Sequence, residues 1–163
     1  MVIVGYGDIG NKVAKIMKQG FGMKVTGVKR RPDSVWTPTE HKKNSDQIVG
    51  LEEYDEVIQE ADFVVGILPK LPDTDDFFSK ESTFSKMKKG SVFINIGRGS
   101  TVNEDDLVDA LKSEHLGYAA LDVFKEEPLG KNHEIWKLPN VFITPHCADE
   151  DPQCMYRAFE IVG

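Results

Sequence analysis

Residues 1–10 read MVIVGYGDIG, and this stretch decides how the chain folds. Its apolar start, residues 1–4, predicts a short strand, and glycines at positions 5, 7 and 10 form the pattern GxGxxG directly after it. The next apolar residues share one helical face, namely Ile9, Val13, Ile16 and Met17. That spacing predicts a helix, which we expect to end at Gly20.

Each glycine of this turn has its own physical task. Gly5 permits the tight turn, Gly7 lets the backbone approach a pyrophosphate, and Gly10 lets the helix and the strand pack closely. The helix N-terminus, which includes Asp8 and Ile9, then presents free N–H groups to the phosphates. The pattern therefore predicts dinucleotide binding, and the alternative is a glycine-rich turn with a structural role only.

The rest of the chain continues the alternation of strands and helices. Further strands are predicted at residues 24–28, 62–69, 91–97, 117–123 and 141–145. Helices are predicted at residues 50–61, 81–90, 103–114 and from 151 onward, with a loop at 32–47. In the first of these helices we expect Leu51, Tyr54 and Ile58 to face inward, and Asn103 is expected to cap the third.

This alternation predicts the α/β class, as a doubly wound parallel sheet of Rossmann type. Ligands of such sheets bind beyond the carboxyl ends of the strands, so the candidate functional residues should directly follow strands.

Composition excludes several other classes. The chain has 20 basic and 27 acidic residues, a net charge of −7, which argues against nucleic acid as a partner. The sequence predicts no membrane segment, no targeting segment and no metal-ligand pattern. The two cysteines, Cys147 and Cys154, fit a reducing compartment, so we expect a cytoplasmic protein.

The end of the second predicted strand indicates which dinucleotide is bound. An NAD site usually has an acid here on the ribose 2′-hydroxyl, but this chain reads GVKRRP at 27–32, with Lys29 in the acid's place. Arg30 and Arg31 follow, and guanidinium groups suit a 2′-phosphate. NADP(H) is therefore favoured and NAD(H) remains possible. The alternative is an ordinary solvated basic loop.

Three further segments place charged or ionisable residues after predicted strands. INIGRGS at 94–100 contains Arg98, ALDVFKEEPL at 120–129 contains Asp122 and Glu127, and FITPHCA at 142–148 contains His146. Each residue alone also has an ordinary structural interpretation, as a surface ion pair, a solvated acid or a satisfied histidine.

Taken together, these motifs resemble the D-isomer-specific 2-hydroxyacid dehydrogenases. The motifs are GYGDIG, INIGRGSTVNEDDL, ALDVFKEEPL and LPNVFITPHCA, and their order and spacing match from residue 2 to about residue 157. LPKLPDT, with Pro69 near its start, resembles the loop with which that family covers its cofactor.

The resemblance implies an enzyme that transfers a hydride between NAD(P)(H) and a small 2-hydroxy or 2-oxo acid. Arg98 would bind the substrate carboxylate, and His146 would be the acid in reduction and the base in oxidation. Glu127 would hydrogen-bond the imidazole and raise its pKa. Asp122 would position the nicotinamide carboxamide, and Ile96 would also contact the cofactor.

Two departures from the family pattern concern charge. Asp149 replaces the usual glycine after the TPHxA motif and puts an acid near the cleft. Lys29 departs from the NAD-using members, but it matches NADP-using ones that resemble glyoxylate and hydroxypyruvate reductases.

The resemblance also predicts the domain organisation. Residues 1–163 correspond to the family's dinucleotide-binding domain, and its substrate domain is expected to be absent from this chain. The chain alone should bind NADP(H), reduce glyoxylate poorly and form a homodimer. A non-enzymatic dinucleotide sensor or a co-repressor-like interaction module is the alternative, which the presence of all three of Arg98, Glu127 and His146 disfavours.

Overall fold

The computed structural model describes residues 1–32 and 38–147, and their strands form one parallel sheet. The strand order is β3-β2-β1-β4-β5-β6-β7. The strands are β1 (Val2–Val4), β2 (Thr26–Val28), β3 (Gln47–Val49), β4 (Phe63–Gly66), β5 (Val92–Asn95), β6 (Tyr118–Leu121) and β7 (Val141–Ile143). Every adjacent pair is parallel, which confirms the predicted doubly wound sheet.

Helices cover this sheet on both faces. They are α1 (Asp8–Phe21), α2 (Thr39–Asn44), α3 (Tyr54–Gln59) and α4 (Glu104–Lys112), with a π-helix at Lys80–Phe84. Helix α1 packs on α2, and α4 packs on the π-helix. The chain moves outward from β1 in both directions, so right-handed crossovers put these two groups on opposite faces. No helix among the described residues is long and apolar enough to cross a membrane.

The core lies on both faces of the central strands. Val2 and Val4 belong to the cluster beneath α3 and α4, whereas Ile3 belongs to the cluster beneath α1. All three are at most 3% exposed, because β1 is covered on both sides. Phe93 adds two aromatic contacts, with ring centroids 5.1 Å from Phe78 and 5.2 Å from Phe84. Each such buried side chain contributes about 1.5–3 kcal/mol relative to exposure.

The four apolar residues predicted to share one face of the first helix are only partly on its inward side. Val13 and Met17 pack against the cluster beneath α1, whereas the two isoleucines do not. Ile9 and Ile16 are 59% and 58% exposed, and the buried positions of α1 are Gly10, Asn11 and Ala14. The reason is close packing, since a Cβ on Gly10 would lie only 3.1 Å from the Ile3 side chain. The helix also continues to Phe21, one residue past Gly20, before Gly22 ends it in a left-handed conformation.

The segment after β2 was also predicted incorrectly. The predicted loop at 32–47 contains α2 and the first residue of β3, although 33–37 lie outside the described residues. A buried hydrogen bond from Asn44 to Asn11, 2.9 Å long, ties the polar helix α2 to α1, and no hydrophobic pattern reveals such a contact. Helix α3 starts only at Tyr54, so Leu51 is exposed, contrary to prediction.

The predicted buried residues of α3 and the predicted cap of α4 are confirmed, whereas one predicted helix is shorter in the structure. Tyr54 and Ile58 are buried as expected, and the Asn103 side chain accepts the Asp106 N–H at 3.1 Å as the cap of α4. The predicted helix 81–90 is reduced to the π-helix, and the predicted helix from residue 151 lies outside the described residues.

Candidate functional site

The carboxyl edge of the sheet brings together the residues that the sequence singled out. Gly5 follows β1, Lys29 follows β2, Arg98 lies in the turn after β5, and Asp122 directly follows β6. His146 lies in the segment after β7. Five separate stretches of sequence therefore meet at the one edge where parallel sheets bind their ligands.

The glycine turn has the shape expected around a pyrophosphate. Gly5 has φ 92°, and a Cβ there would lie 2.4 Å from the Ile67 carbonyl oxygen, so the fold itself requires glycine. Gly7 differs, because its φ of −101° suits any residue and a Cβ would meet nothing within 4 Å. No side chain caps α1, so its first amides remain available for an anion. The open space over Gly7 fits a bound dinucleotide.

The first turn of α1 also holds a pair that sequence reasoning missed. Asp8, a predicted cofactor residue with an 89% exposed side chain, lies 3.2 Å from Nε2 of His41. His41 is only 5% exposed and packs edge-on against the Tyr6 ring. The predicted residue Ile9 is exposed beside Asp8. The Asp8 carboxylate at the start of α1 therefore faces His41.

Basic residues line a pocket next to the glycine turn. This pocket, of about 310 Å³, is bounded by Gly5, Lys29 and Arg30 on one side and by Asp73 on the other. The Arg30 guanidinium lies 3.5 Å from the Asp73 carboxylate. Arg31 is exposed. Of the two predicted arginines, Arg30 is thus the one that lines the pocket.

The loop after β4, where Pro69 was predicted to contact the cofactor, has a defined structure. Pro69 is exposed, and its carbonyl accepts a hydrogen bond of 2.6 Å from the Thr74 hydroxyl. Thr74 also accepts the Leu71 N–H at 3.0 Å. At the far end of the loop, Asp76 pairs with Lys125 at 2.5 Å. This pair joins the loop to the segment that carries Glu127.

A second pocket, of about 590 Å³, contains the ionisable residues expected to do chemistry. Glu127 and His146 line it together with Asp122, among mainly apolar neighbours. The His146 Nδ1 and the Glu127 carboxylate are 2.7 Å apart, and the Phe124 N–H donates to the other carboxylate oxygen at 2.9 Å. Nδ1 therefore carries the proton toward Glu127, and Nε2 is left for another partner.

The neighbouring charges and hydrogen bonds shift the pKa of His146 and the pKa of Glu127. The hydrogen bond to Glu127 raises the pKa of His146, with the negative charges of Glu127 and Asp122 acting in the same direction and the Arg98 cation opposing them. The hydrogen bond from His146, together with that from Phe124, lowers the pKa of Glu127.

Asp122 holds the segment that carries His146. Its Oδ1 accepts hydrogen bonds from the Thr144 hydroxyl at 2.5 Å and from the Cys147 N–H at 3.2 Å. Asp122 is therefore hydrogen-bonded to the chain on both sides of the histidine. His146 itself has φ 54°, a left-handed conformation that is uncommon outside glycine. Asp122 is 5% exposed and therefore positions the histidine from within the core.

The turn that carries Arg98 is fixed in a similar way. The buried Asn95 side chain donates to the Arg98 carbonyl at 3.1 Å and accepts the Gly97 N–H at 3.1 Å. The Thr101 hydroxyl donates to the same Arg98 carbonyl at 2.7 Å. The exposed guanidinium donates one hydrogen bond, of 2.7 Å, to the Gly97 carbonyl, and its other donors can hold an anion. Ile96, the other predicted residue here, is half-buried against the cluster beneath α1.

Comparisons with known proteins identify the class to which this fold and site belong. A family model described as "D-isomer specific 2-hydroxyacid dehydrogenase, NAD binding domain" matches residues 1–148. The chain belongs to this family, as the motifs predicted.

Individual relatives agree with this assignment. The chain is 38% identical over 155 residues to glyoxylate/hydroxypyruvate reductase B of Klebsiella pneumoniae, a match that covers 95% of this chain and 46% of that protein. A family member from Aeromonas salmonicida has a TM-score of 0.85 at 35% identity, covering 98% of this chain and 49% of the other. An NADPH-dependent glyoxylate/hydroxypyruvate reductase of Sinorhizobium meliloti, in complex with NADP and sulfate, has a TM-score of 0.83 at 32% identity, covering 99% and 49%. The chain thus spans about half the length of these relatives.

The Glu127–His146 pair predicts a measurable titration. We expect His146 to titrate above the ordinary value of 6.5, because the Glu127 carboxylate stabilises the imidazolium more than the neutral ring. In Glu127→Gln the midpoint should fall, since the amide has no charge. NMR of the His146 ring protons across pH 5–9 measures both midpoints, and Glu126→Gln is the matched control. Equal midpoints in the wild type and in Glu127→Gln would contradict the pairing.

Proposed function

We propose that this chain is the dinucleotide-binding and catalytic half of an NADP(H)-preferring reductase of small 2-oxo acids. The observation that carries the proposal is the Glu127–His146 pair, which lies with Arg98 at the same sheet edge as the glycine turn. A sensor needs the glycine turn but has less need of an acid–base pair at the same sheet edge as an exposed guanidinium.

In this proposal each residue acts on a stated atom. Arg98 binds the substrate carboxylate through its planar fork and polarises the adjacent keto oxygen. His146 donates the proton on Nε2 to that oxygen as it becomes a hydroxyl, while Glu127 stabilises the imidazolium from the Nδ1 side. The bound nicotinamide supplies the hydride that is added to C2. In the reverse direction His146, now neutral, accepts the hydroxyl proton.

The chain's own residues fit the proposed cofactor. The turn at Gly5 and Gly7 with the first amides of α1 would hold the pyrophosphate, and Lys29 with Arg30 would hold the 2′-phosphate. Pro69 and Ile96 would line the cofactor cleft. We propose that Asp122, besides positioning His146, orients the carboxamide.

The proposed cofactor preference can be tested on Arg30. We expect Arg30→Ala to weaken NADPH binding about tenfold or more and NADH binding much less, because charge-assisted hydrogen bonds to the 2′-phosphate contribute about 1.5–3 kcal/mol each. Fluorescence titration of the chain with each cofactor measures this. Arg31→Ala measures whether the second predicted arginine contributes to this preference. Lys24→Ala, at the opposite end of β2, is the control. Equal losses for the two cofactors would refute this role.

The proposed activity is best tested in a complete active site. A chimera in which this chain replaces the aligned residues of the Klebsiella pneumoniae relative supplies the remaining half of such a site. We expect the chimera to reduce glyoxylate or hydroxypyruvate with NADPH, and the isolated chain to do so very slowly, because an open site loses the orientation that supplies about 7–11 kcal/mol. A folded chimera that binds NADPH without turnover of either acid would favour the sensor alternative. We also propose that the chain forms a homodimer, which light scattering measures.

A further inference from the structure

We propose that Asp73 is a specificity-determining residue that limits the preference for NADPH over NADH. Its carboxylate lies in the subsite assigned to the 2′-phosphate, where it opposes that phosphate and serves as an acceptor for the ribose hydroxyl of NADH. This inference rests on the proposed function, because it requires the pocket beside Gly5 to hold the adenosine ribose.

Asp73 lies on the wall of the pocket opposite the glycine turn. Gly5, Lys29 and Arg30 come from the ends of β1 and β2, whereas Asp73 comes from the short 3₁₀ turn Pro72–Thr74 in the loop after β4. The two walls meet through the contact of 3.5 Å between Arg30 and Asp73. The guanidinium proposed to bind a phosphate therefore already faces a carboxylate.

The loop does not need this carboxylate for its structure. Thr74 closes the turn, since its hydroxyl bonds the Pro69 carbonyl and accepts the Leu71 N–H. The Asp73 side chain is 77% exposed, and its only ion pair among the described residues is with Arg30. The acid can therefore be changed to an amide without disturbing the loop.

The charge of Asp73 acts in opposite directions on the two cofactors. A 2′-phosphate carries about −1.5 to −2 charges, so a carboxylate in the same pocket repels it and competes for the Arg30 donors. The corresponding hydroxyl of NADH carries no charge and can donate a hydrogen bond to the carboxylate. The usual acceptor for that hydroxyl, an acid at the end of β2, is replaced here by Lys29. Asp73 supplies an acceptor from the opposite wall.

Asp73→Asn provides the test, with Asp75→Asn as the control because Asp75 is an exposed acid of the same loop outside the pocket lining. Dissociation constants for NADPH and NADH are measured by titration of the 163-residue chain. We expect the ratio of the NADH to the NADPH constant to rise about threefold to tenfold in Asp73→Asn, the range for exposed charge interactions acting on both cofactors, and to stay unchanged in Asp75→Asn. The change should shrink at 0.5 M salt because exposed charges are screened.

Arg30→Ala separates this inference from the proposed function. If Arg30→Ala weakens NADPH selectively while Asp73→Asn leaves the ratio unchanged, the role of Asp73 is refuted and the cofactor assignment stands. If Asp73→Asn weakens NADPH, the acid positions Arg30 and the inference is likewise overturned. If Arg30→Ala weakens the binding of both cofactors equally, the pocket does not bind the 2′-phosphate. The proposed cofactor assignment is then refuted, and the inference about Asp73 is refuted with it. A rise in the ratio that persists in the Arg30→Ala background supports direct repulsion by Asp73.

Discussion

His146→Ala is expected to lower the turnover of the chimera by about 10²–10⁴, the usual contribution of a positioned acid–base group. The substitution removes the proton donor to the keto oxygen but leaves the glycine turn and the basic pocket intact. The dissociation constant for NADPH should therefore change little. Steady-state kinetics with glyoxylate, combined with cofactor titration, separates the two effects.

The neighbouring acids provide the matched comparison for this prediction. Glu127→Gln should lower the rate and shift its pH dependence downward, because the imidazole loses the carboxylate that raises its pKa. In the wild type, reduction should decline as pH rises through the pKa of His146, which lies above 6.5. Glu126→Gln, one residue away and exposed, should change neither property. Wild-type turnover in His146→Ala would refute the catalytic assignment.

Gly5→Ala should destabilise the fold by about 2–6 kcal/mol and abolish measurable cofactor binding. The estimate combines the strain of a side chain at positive φ with the cost of overpacking. A Cβ there would be 2.4 Å from the Ile67 carbonyl, so the turn must move away from the position that approaches the pyrophosphate. Urea denaturation measures the change in the free energy of unfolding.

Gly20→Ala is the control for this prediction and should raise the free energy of unfolding instead of lowering it. Gly20 lies in the last turn of α1 with open space around it. Alanine favours the helix there by up to about 1 kcal/mol relative to glycine. Equal destabilisation by both substitutions would mean that the strain at Gly5 is not specific to its turn.

The sheet could be predicted because its central strands are continuous apolar runs. Residues 1–4, 62–69 and 91–97 each contain a strand of the final sheet, and the alternation with helices implies parallel pairing. Strand β3 was missed because its first residue, Gln47, ends a polar stretch and its three residues give too little periodicity to separate it from that stretch.

Hydrophobicity predicted the inward face of α1 only in part, since Val13 and Met17 pack against the core and the two isoleucines do not. Gly10 and Ala14 are buried because their small side chains let the helix approach β1, while the larger Ile9 and Ile16 are left outside. Hydrophobic periodicity ranks the isoleucines first, whereas the backbone distance between helix and strand decides the outcome.

The candidate site was predictable where its residues follow strands or lie in motifs. Arg98, Glu127 and His146 were identified from the sequence, and the structure places Glu127 against His146. Asp73 and His41 were missed because their partners, Arg30 and Asp8, are distant in sequence, so only the folded loops bring the charges together. No spacing rule reports such a contact.

Comparative titration of the 163-residue chain with NADPH and NADH tests the central claim most directly. The claim is that this chain forms a dinucleotide site whose basic pocket binds the 2′-phosphate. We expect saturable binding of both cofactors at one site per chain, with the smaller dissociation constant for NADPH. Absence of saturable binding for either cofactor, in a chain that is folded by circular dichroism, would contradict the account, as would tighter binding of NADH.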